Sequence, residues 1–510
     1  MTETRTWWEH RALIALVILV AGLPLWLPAI PPLTDLPGHL GRYFVQLDAG
    51  RSADLARWYA FDWHWIGNLG VDLIVQAIGP WLGVEGATKL AAILIPMLTA
   101  AGFLAVAREV HGRIPPTAFF ALPLAWSYPF LWGFVNFALS MALAFLAFAL
   151  WLNLARRGLL RLRFVLFLGL SLLLWTAHIY GWAALCVLAA SAELVRQLDR
   201  QNGLRALRAT ALNCACLLPP LVPMLLKFSG GGAGGQPFAH TWFRWDLKSR
   251  WVASILRDRW EIFDIASVLL LLAIVLAGLV VWALQRTRPA GLVLVIGAGL
   301  FGLLFILMPH ALIGSAYADM RLAPFALATA LLAIGAPAQG WIAALGLGFF
   351  GLRIVGTALS IAEYDASYRA ELSALAHVPQ GARLVSFVGR PCAQGWGVHR
   401  LDHLPSIALV RRRAFANDQW QAAGAQLITV HYAAGGAFVA DPSQFVVEPR
   451  CERAERKALP RAIASFPRDA FDYVWVIDQP DGPVDLTGLE RVWHKGRSAL
   501  YRVVRTGSRR

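Results

Sequence analysis

The sequence predicts a polytopic α-helical membrane bundle with a small C-terminal α/β domain. Three observations predict it. The 510-residue chain is 58% hydrophobic and 15% charged, with a mean hydropathy of +0.55, too apolar to be held inside one soluble core. Uncharged runs at residues 12–30, 91–107, 134–152, 266–284 and 292–308 match the roughly 20 residues that cross about 30 Å of hydrocarbon as helix. From residue 362 onward the hydrophobic runs shorten and charges rise.

The first run follows a basic stretch but continues into a Pro-rich loop without a small-residue cleavage site, so it reads as a retained first helix. Residues 67–85 carry Gly70, Asp72, Gly79 and Pro80. Counting them as a span puts the Arg108/Arg113 loop on the opposite side from the later Arg clusters. They are therefore predicted to lie along the interface or to re-enter. About eleven spans follow, at 11–30, 88–107, 115–132, 134–155, 163–177, 180–196, 207–226, 264–284, 289–308, 321–336 and 339–358. The short loops holding Arg5, Arg11, Arg108, Arg113, Arg156, Arg157, Arg161, Arg163, Arg196, Arg200, Arg205, Arg208, Arg286 and Arg288 then share one side. The positive-inside rule makes that side the cytoplasm, with the N-terminus in it and the C-terminus outside. Much of the net charge of +15 is explained by these loops, so nucleic acid is an unnecessary partner.

This places residues 1–361 in a transmembrane domain with outward loops at 31–87, 227–263 and 309–321, and residues 362–510 in a soluble outward domain. The second loop resists the charge rule, since it holds Lys227, Arg244, Lys248, Arg250, Arg257 and Arg259. These bases interleave with Trp242, Trp245, Trp251 and Trp260, as in a helix lying in the headgroup layer and holding lipid phosphate. SGGGAGGQP at 229–237 reads as a flexible tether. In the C-terminal domain, residues 382–388, 426–430, 473–477 and 500–504 read as strands, and 364–375 and 451–464 contain helix. No internal repeat is evident. Cys186, Cys214 and Cys216 fall in hydrophobic helices, as buried thiols do. Cys392 and Cys451 share the outward domain, where a disulfide and a pair of free thiols are equally open.

Polar chemistry gathers in the outward loops. In PPLTDLPGHLGRYF, Asp35 and His39 lie four residues apart at the membrane surface. An acid in low dielectric has a raised pKa and can serve as a base for an attacking hydroxyl, with His39 orienting it or touching a phosphate. The same letters also fit an Asp capping a helix that begins near Pro37, with His39 on its wet face. FDWHWIGNLGVDL offers Asp62, His64, Asn68 and Asp72; Asp62 and His64 alternate on one side and could join Asp35 as metal ligands or sugar contacts. His178, at a break between two hydrophobic runs, faces a cavity or bonds the freed backbone of the break. PHALIGSAYADMRLAPF supplies His310, Tyr317, Asp319 and Arg321; Arg321 can grip a phosphate bidentately, or pair with Asp319 at a helix entrance. There is no Walker loop, no G-x-G-x-x-G after a strand, no H-E-x-x-H and no G-x-S-x-G, so soluble nucleotide chemistry is unsupported. Arg411, Arg412 and Arg413 read as a solvated basic face.

With TDLPGH directly after the first helix, an aromatic-rich first loop, many spans, a late ADMRLAPF turn and an outward C-terminal domain, the chain resembles the GT-C superfamily of integral-membrane glycosyltransferases. The resemblance covers the architecture of the whole chain. It implies a bacterial inner-membrane enzyme that takes a sugar from a polyprenyl-phosphate donor and passes it to a lipid, glycan or protein acceptor on the periplasmic face. It further implies Asp35 as the catalytic acid and Arg321 as a donor-phosphate contact, aided by His310 or His178. Many such families carry a second acid beside the first, whereas Leu36 follows Asp35 here, so a divalent metal is left open. Two other classes fit the same outline: a transporter or flippase of lipid-linked sugars, and a non-catalytic envelope assembly protein whose C-terminal domain does the binding. Clustering of Asp35, His178 and Arg321 at one cavity is the expectation that separates the enzyme from both.

Overall fold

A computed structural model describes residues 6–229, 239–285, 290–312, 316–393, 395–421, 426–454 and 456–505. Arg5, Arg286, Arg288 and nearly all of the Gly-rich tether lie outside them. The chain forms two compact units. The first comprises Met1–Leu27, Trp65–Leu73 and Leu90–Ser360, and the second Pro28–His64, Ile74–Lys89 and Ile361–Arg510.

The first unit is helical. Among the described residues, six helices of the chain are long and apolar enough to cross a membrane: Gly70–His111, Val135–Arg156, Leu160–Ala177, Ile179–Leu198, Glu261–Gln285 and Gly340–His377. Arg11–Leu25, Leu292–Leu307 and Ala323–Leu332 are apolar but shorter. Two of the eleven expected spans are not single helices, and proline is the physical reason. In residues 115–132, Pro115, Pro116 and Pro123 cannot supply α-ladder donors, and the chain forms the 3-10 helix Pro116–Trp126 followed by the short helix Tyr128–Trp132. In residues 207–226, Pro219 and Pro220 separate Gly203–Cys214 from Leu221–Ser229. The 42-residue stretch Gly70–His111 is itself two helices, broken where Gly83 takes φ +71°, a left-handed conformation open to glycine. That break divides residues 70–82 from the following apolar run.

Small residues let these helices approach. A Cβ on Gly181 would stand 2.5 Å from the Ser140 carbonyl oxygen, so Ile179–Leu198 crosses Val135–Arg156 at a distance only glycine allows. Buried charges are paired. Arg163 meets Glu193 at 3.0 Å and lies 3.9 Å over the Trp151 ring, and Arg353 meets Asp264 at 2.7 Å.

The second unit is built on a mixed five-stranded sheet in the order Phe445–Val446, Leu384–Gly389, Tyr473–Ile477, Ser498–Val503, Leu489–Lys495. The first three strands are parallel and the last two close it as an antiparallel hairpin. Expected strands at 382–388, 473–477 and 500–504 correspond to its centre. The two-residue strand and Leu489–Lys495, whose residues are partly or fully exposed, gave no apolar run to read. The helix expected within 451–464 is confined to Leu459–Ser465.

Residues 31–87 were assigned to the transmembrane domain by their place in the chain, yet Pro28–His64 and Ile74–Lys89 group with the C-terminal residues. Burial explains it: Val45, Leu55, Trp58 and Tyr59 share one hydrophobic core with Val385, Phe387, Phe415, Val474 and Val476. The strand Tyr59–Phe61 pairs antiparallel with Ile428–Val430, and Tyr59 Oη donates to the Ala416 carbonyl at 3.0 Å. Cys392 and Cys451 are joined as a disulfide, with Cα atoms 5.5 Å apart.

Candidate functional site

Asp35 and His39 of the first loop meet the C-terminal residues of the second unit at a pair of helix beginnings. Pro37 sits in the first turn of Leu36–Asp48, where its missing N–H is harmless. Pro405 stands just before Ser406–Arg412. Gly38 and Gly41 let the two helices close on each other, since a Cβ on Gly41 would stand 3.1 Å from Ser406 Cβ. Asp35 is the residue before its helix but makes no capping hydrogen bond. Its Oδ1 instead lies 3.9 Å from Nε2 of His403, and Asp441 Oδ1 lies 3.9 Å from the same nitrogen.

His403 is held from behind. Its Nδ1 lies 3.1 Å from the Asp418 carbonyl oxygen; a carbonyl only accepts, so Nδ1 carries the proton and Nε2 is turned to the two carboxylates. Asp418 is fixed in turn, accepting from the Ser406 N–H at 2.9 Å and the Ser406 hydroxyl at 2.8 Å. Asp402 is paired with Arg390, whose guanidinium packs 3.6 Å over Phe445. Trp420 closes one side, its ring 4.4 Å from His403 and 5.1 Å from His39. Arg390 directly follows the parallel strand Leu384–Gly389 and pairs with Asp402 beside His403, which ties one side of the cluster to that strand's carboxyl end.

Burial governs the charges. It holds His403 below the usual histidine range against the opposing pull of Asp441 and Asp402. Burial, then Arg42 and His403, hold His39 well below it. Burial pushes Asp418 up to about 7 despite its Ser406 hydrogen bonds. At neutral pH both histidines are therefore neutral imidazoles. The capping reading put His39 on a wet face; it is buried between Tyr43 and Trp420.

Asp62 and His64 are exposed at the end of Tyr59–Phe61, the His64 ring resting on the Asp62 carbonyl oxygen at 3.1 Å. Among the described residues, the grouping of three metal-ligand types within 4.8 Å is Cys392, Glu448 and Cys451. Both its sulfurs are in the disulfide. Asp35, Asp62 and His64 do not form such a grouping.

In the first unit the late turn folds around Asp319. Lys248 Nζ lies 3.2 Å from Asp319 Oδ2 and also donates to the Phe305 and Met308 carbonyls at 2.6 and 2.9 Å. His310 Nδ1 stands 3.3 Å from Asp319 Oδ1 and stacks on Trp251. Burial raises the Asp319 carboxyl, but the His310 hydrogen bond and the Lys248 charge outweigh it and hold it below the carboxylate range. Arg321 packs its guanidinium 4.4 Å over Phe134 and 5.5 Å over Tyr180. His178 precedes Ile179–Leu198 and accepts from the Tyr180 N–H at 3.2 Å, the second of the two roles left open for it. Behind it, Asn136 Nδ2 donates to Asp72 Oδ2 at 2.9 Å and to the Asn68 carbonyl at 2.8 Å.

Asp35 and His39 thus belong to the second unit, and His178, His310, Asp319 and Arg321 to the first. Two of the bases expected to hold lipid phosphate do not face outward: Lys248 is 3% exposed and Arg257 is 8% exposed, over the Tyr128 ring. Arg244, Trp242, Trp245 and Trp260 are exposed as expected. His403, Asp441 and Asp418 were not singled out from sequence. No protein-family model matches the chain, and no curated protein matches it either.

Proposed function

We propose that the protein is an integral-membrane glycosyltransferase that moves a sugar from a polyprenyl-phosphate donor to a lipid, glycan or protein acceptor on the periplasmic face of a bacterial inner membrane. The observation that carries this reading is the Asp35 carboxylate, placed at a helix beginning beside a neutral imidazole and a second carboxylate. Such a carboxylate can take the proton of an acceptor hydroxyl as its oxygen attacks the anomeric carbon. The disulfide accords with an oxidising compartment, and the apolar helices with a lipid-tailed donor.

A cell lacking the protein is expected to lose one sugar from an envelope glycolipid or glycan and to accumulate the donor. An unchanged profile contradicts the reading. A second reading, transport of a lipid-linked sugar, draws on the buried Asp264–Arg353 pair and the helix break at Gly83. Proteoliposomes that move the lipid-linked sugar across the bilayer without transferring it favour that reading.

A further inference from the structure

We propose that His403 is the proton relay behind Asp35, so that the C-terminal residues are part of the reaction centre. The proposal rests on the glycosyltransferase reading. Its ground is geometric. His403 is one residue whose two ring nitrogens have separate assignments: Nδ1 is committed to the Asp418 carbonyl at 3.1 Å, and Nε2 stands 3.9 Å from Asp35 Oδ1. That separation is too long for a direct hydrogen bond and short enough for one oxygen to sit about 2.7 Å from both atoms. Asp441 Oδ1, 3.9 Å from Nε2 on another element, opposes the charge that a proton on that nitrogen creates.

The step balances within these groups. The acceptor O–H bond breaks as its oxygen bonds the anomeric carbon. The bond from that carbon to the phosphate oxygen breaks, its electron pair leaving on the phosphate. The proton passes to Asp35 and, through the bridging oxygen, to His403 Nε2, and the imidazolium later loses it to solvent. Other titratable groups around the ring are Asp402, Arg390 and the neutral His39, which in turn feels Arg42. Asp402 works with Asp441, while Arg390 works against them.

The test compares membranes of the deletion strain carrying full-length wild type, His403→Ala, Asp441→Asn or Asp35→Asn. Each is supplied with an undecaprenyl-phosphate hexose bearing the sugar missing from that strain. His403→Ala is expected to lower kcat about 100-fold and to leave the donor KM within about threefold. Added imidazole is expected to restore part of the rate, which a structural role would not allow. Asp441→Asn is expected to move the acid limb of kcat to lower pH, because the imidazolium loses a stabilising charge.

A His403→Ala protein with wild-type kcat and pH profile overturns the relay, as does a loss that imidazole does not rescue. If His403→Ala does not fold, Asp441→Asn decides alone, and an unmoved limb overturns the relay. Full activity in Asp35→Asn removes the base and overturns the relay behind it, whereas no sugar transfer by wild type is the failure of the underlying reading.

Discussion

A Cβ on Gly38 would stand 2.6 Å from Cη2 of Trp420 and 3.3 Å from Cβ of His403. Alanine in an exposed helix normally gains up to about 1 kcal/mol over glycine. Here the added methyl must displace an indole and the histidine behind it, and such overpacking costs about 1–3 kcal/mol. Gly38→Ala is therefore expected to lower the thermal midpoint of the detergent-solubilised protein and to reduce activity more than stability, since His403 moves with the ring. An unchanged midpoint and rate would contradict this packing.

Lys248 and Asp319 form a buried pair in the first unit, their side chains 4% and 1% exposed. Removing one partner of such a pair leaves an uncompensated charge and costs about 3–5 kcal/mol. Lys248→Met is expected to lose stability on that scale. Adding Asp319→Asn is expected to recover part of it, because the stranded charge is gone. Additive losses in thermal unfolding of the two single variants and the double variant would separate the two residues.

Asp418 and Asp472 give the second unit opposite pH dependences. Asp418, raised to about 7 by burial, binds its proton more tightly folded than unfolded, where its value is about 3.9. Its contribution is whole below about pH 4 and is lost as pH rises through about 7. Burial works upward on Asp472 too, but the Arg383 hydrogen bonds outweigh it and hold that carboxyl low. Its contribution is present above the unfolded value and is lost as pH falls through the folded one. Thermal midpoints measured from pH 4 to 8 are expected to fall toward pH 7 in wild type and to flatten in Asp418→Asn. Equal slopes would contradict the assignment.

The membrane character of the chain was legible because it is carried by long runs, a signal that neighbours in sequence supply by themselves. Helix ends were less so: nothing in the hydropathy of residues 115–132 or 207–226 announces that prolines turn them from single spans into broken segments. Asp35 and His39 were found from TDLPGH. Their partner was written in similar letters, LDHLP at residues 401–405, but no local pattern says that two Asp-His-Pro segments so far apart meet through Gly38 and Gly41. Lys248 shows the converse. Its neighbours Arg244, Trp245 and Arg250 are exposed, and one helix carries an exposed arginine and a buried lysine two residues apart. Composition sees the bases and not which one points inward.

The most direct test of the account is sugar transfer by Asp35→Asn, measured beside wild type at matched membrane expression. Loss of the base is expected to lower the rate at least about 100-fold, with expression and thermal midpoint unchanged. Transfer at the wild-type rate would remove Asp35 from the chemistry, and a wild-type protein that transfers no sugar would remove the glycosyltransferase reading.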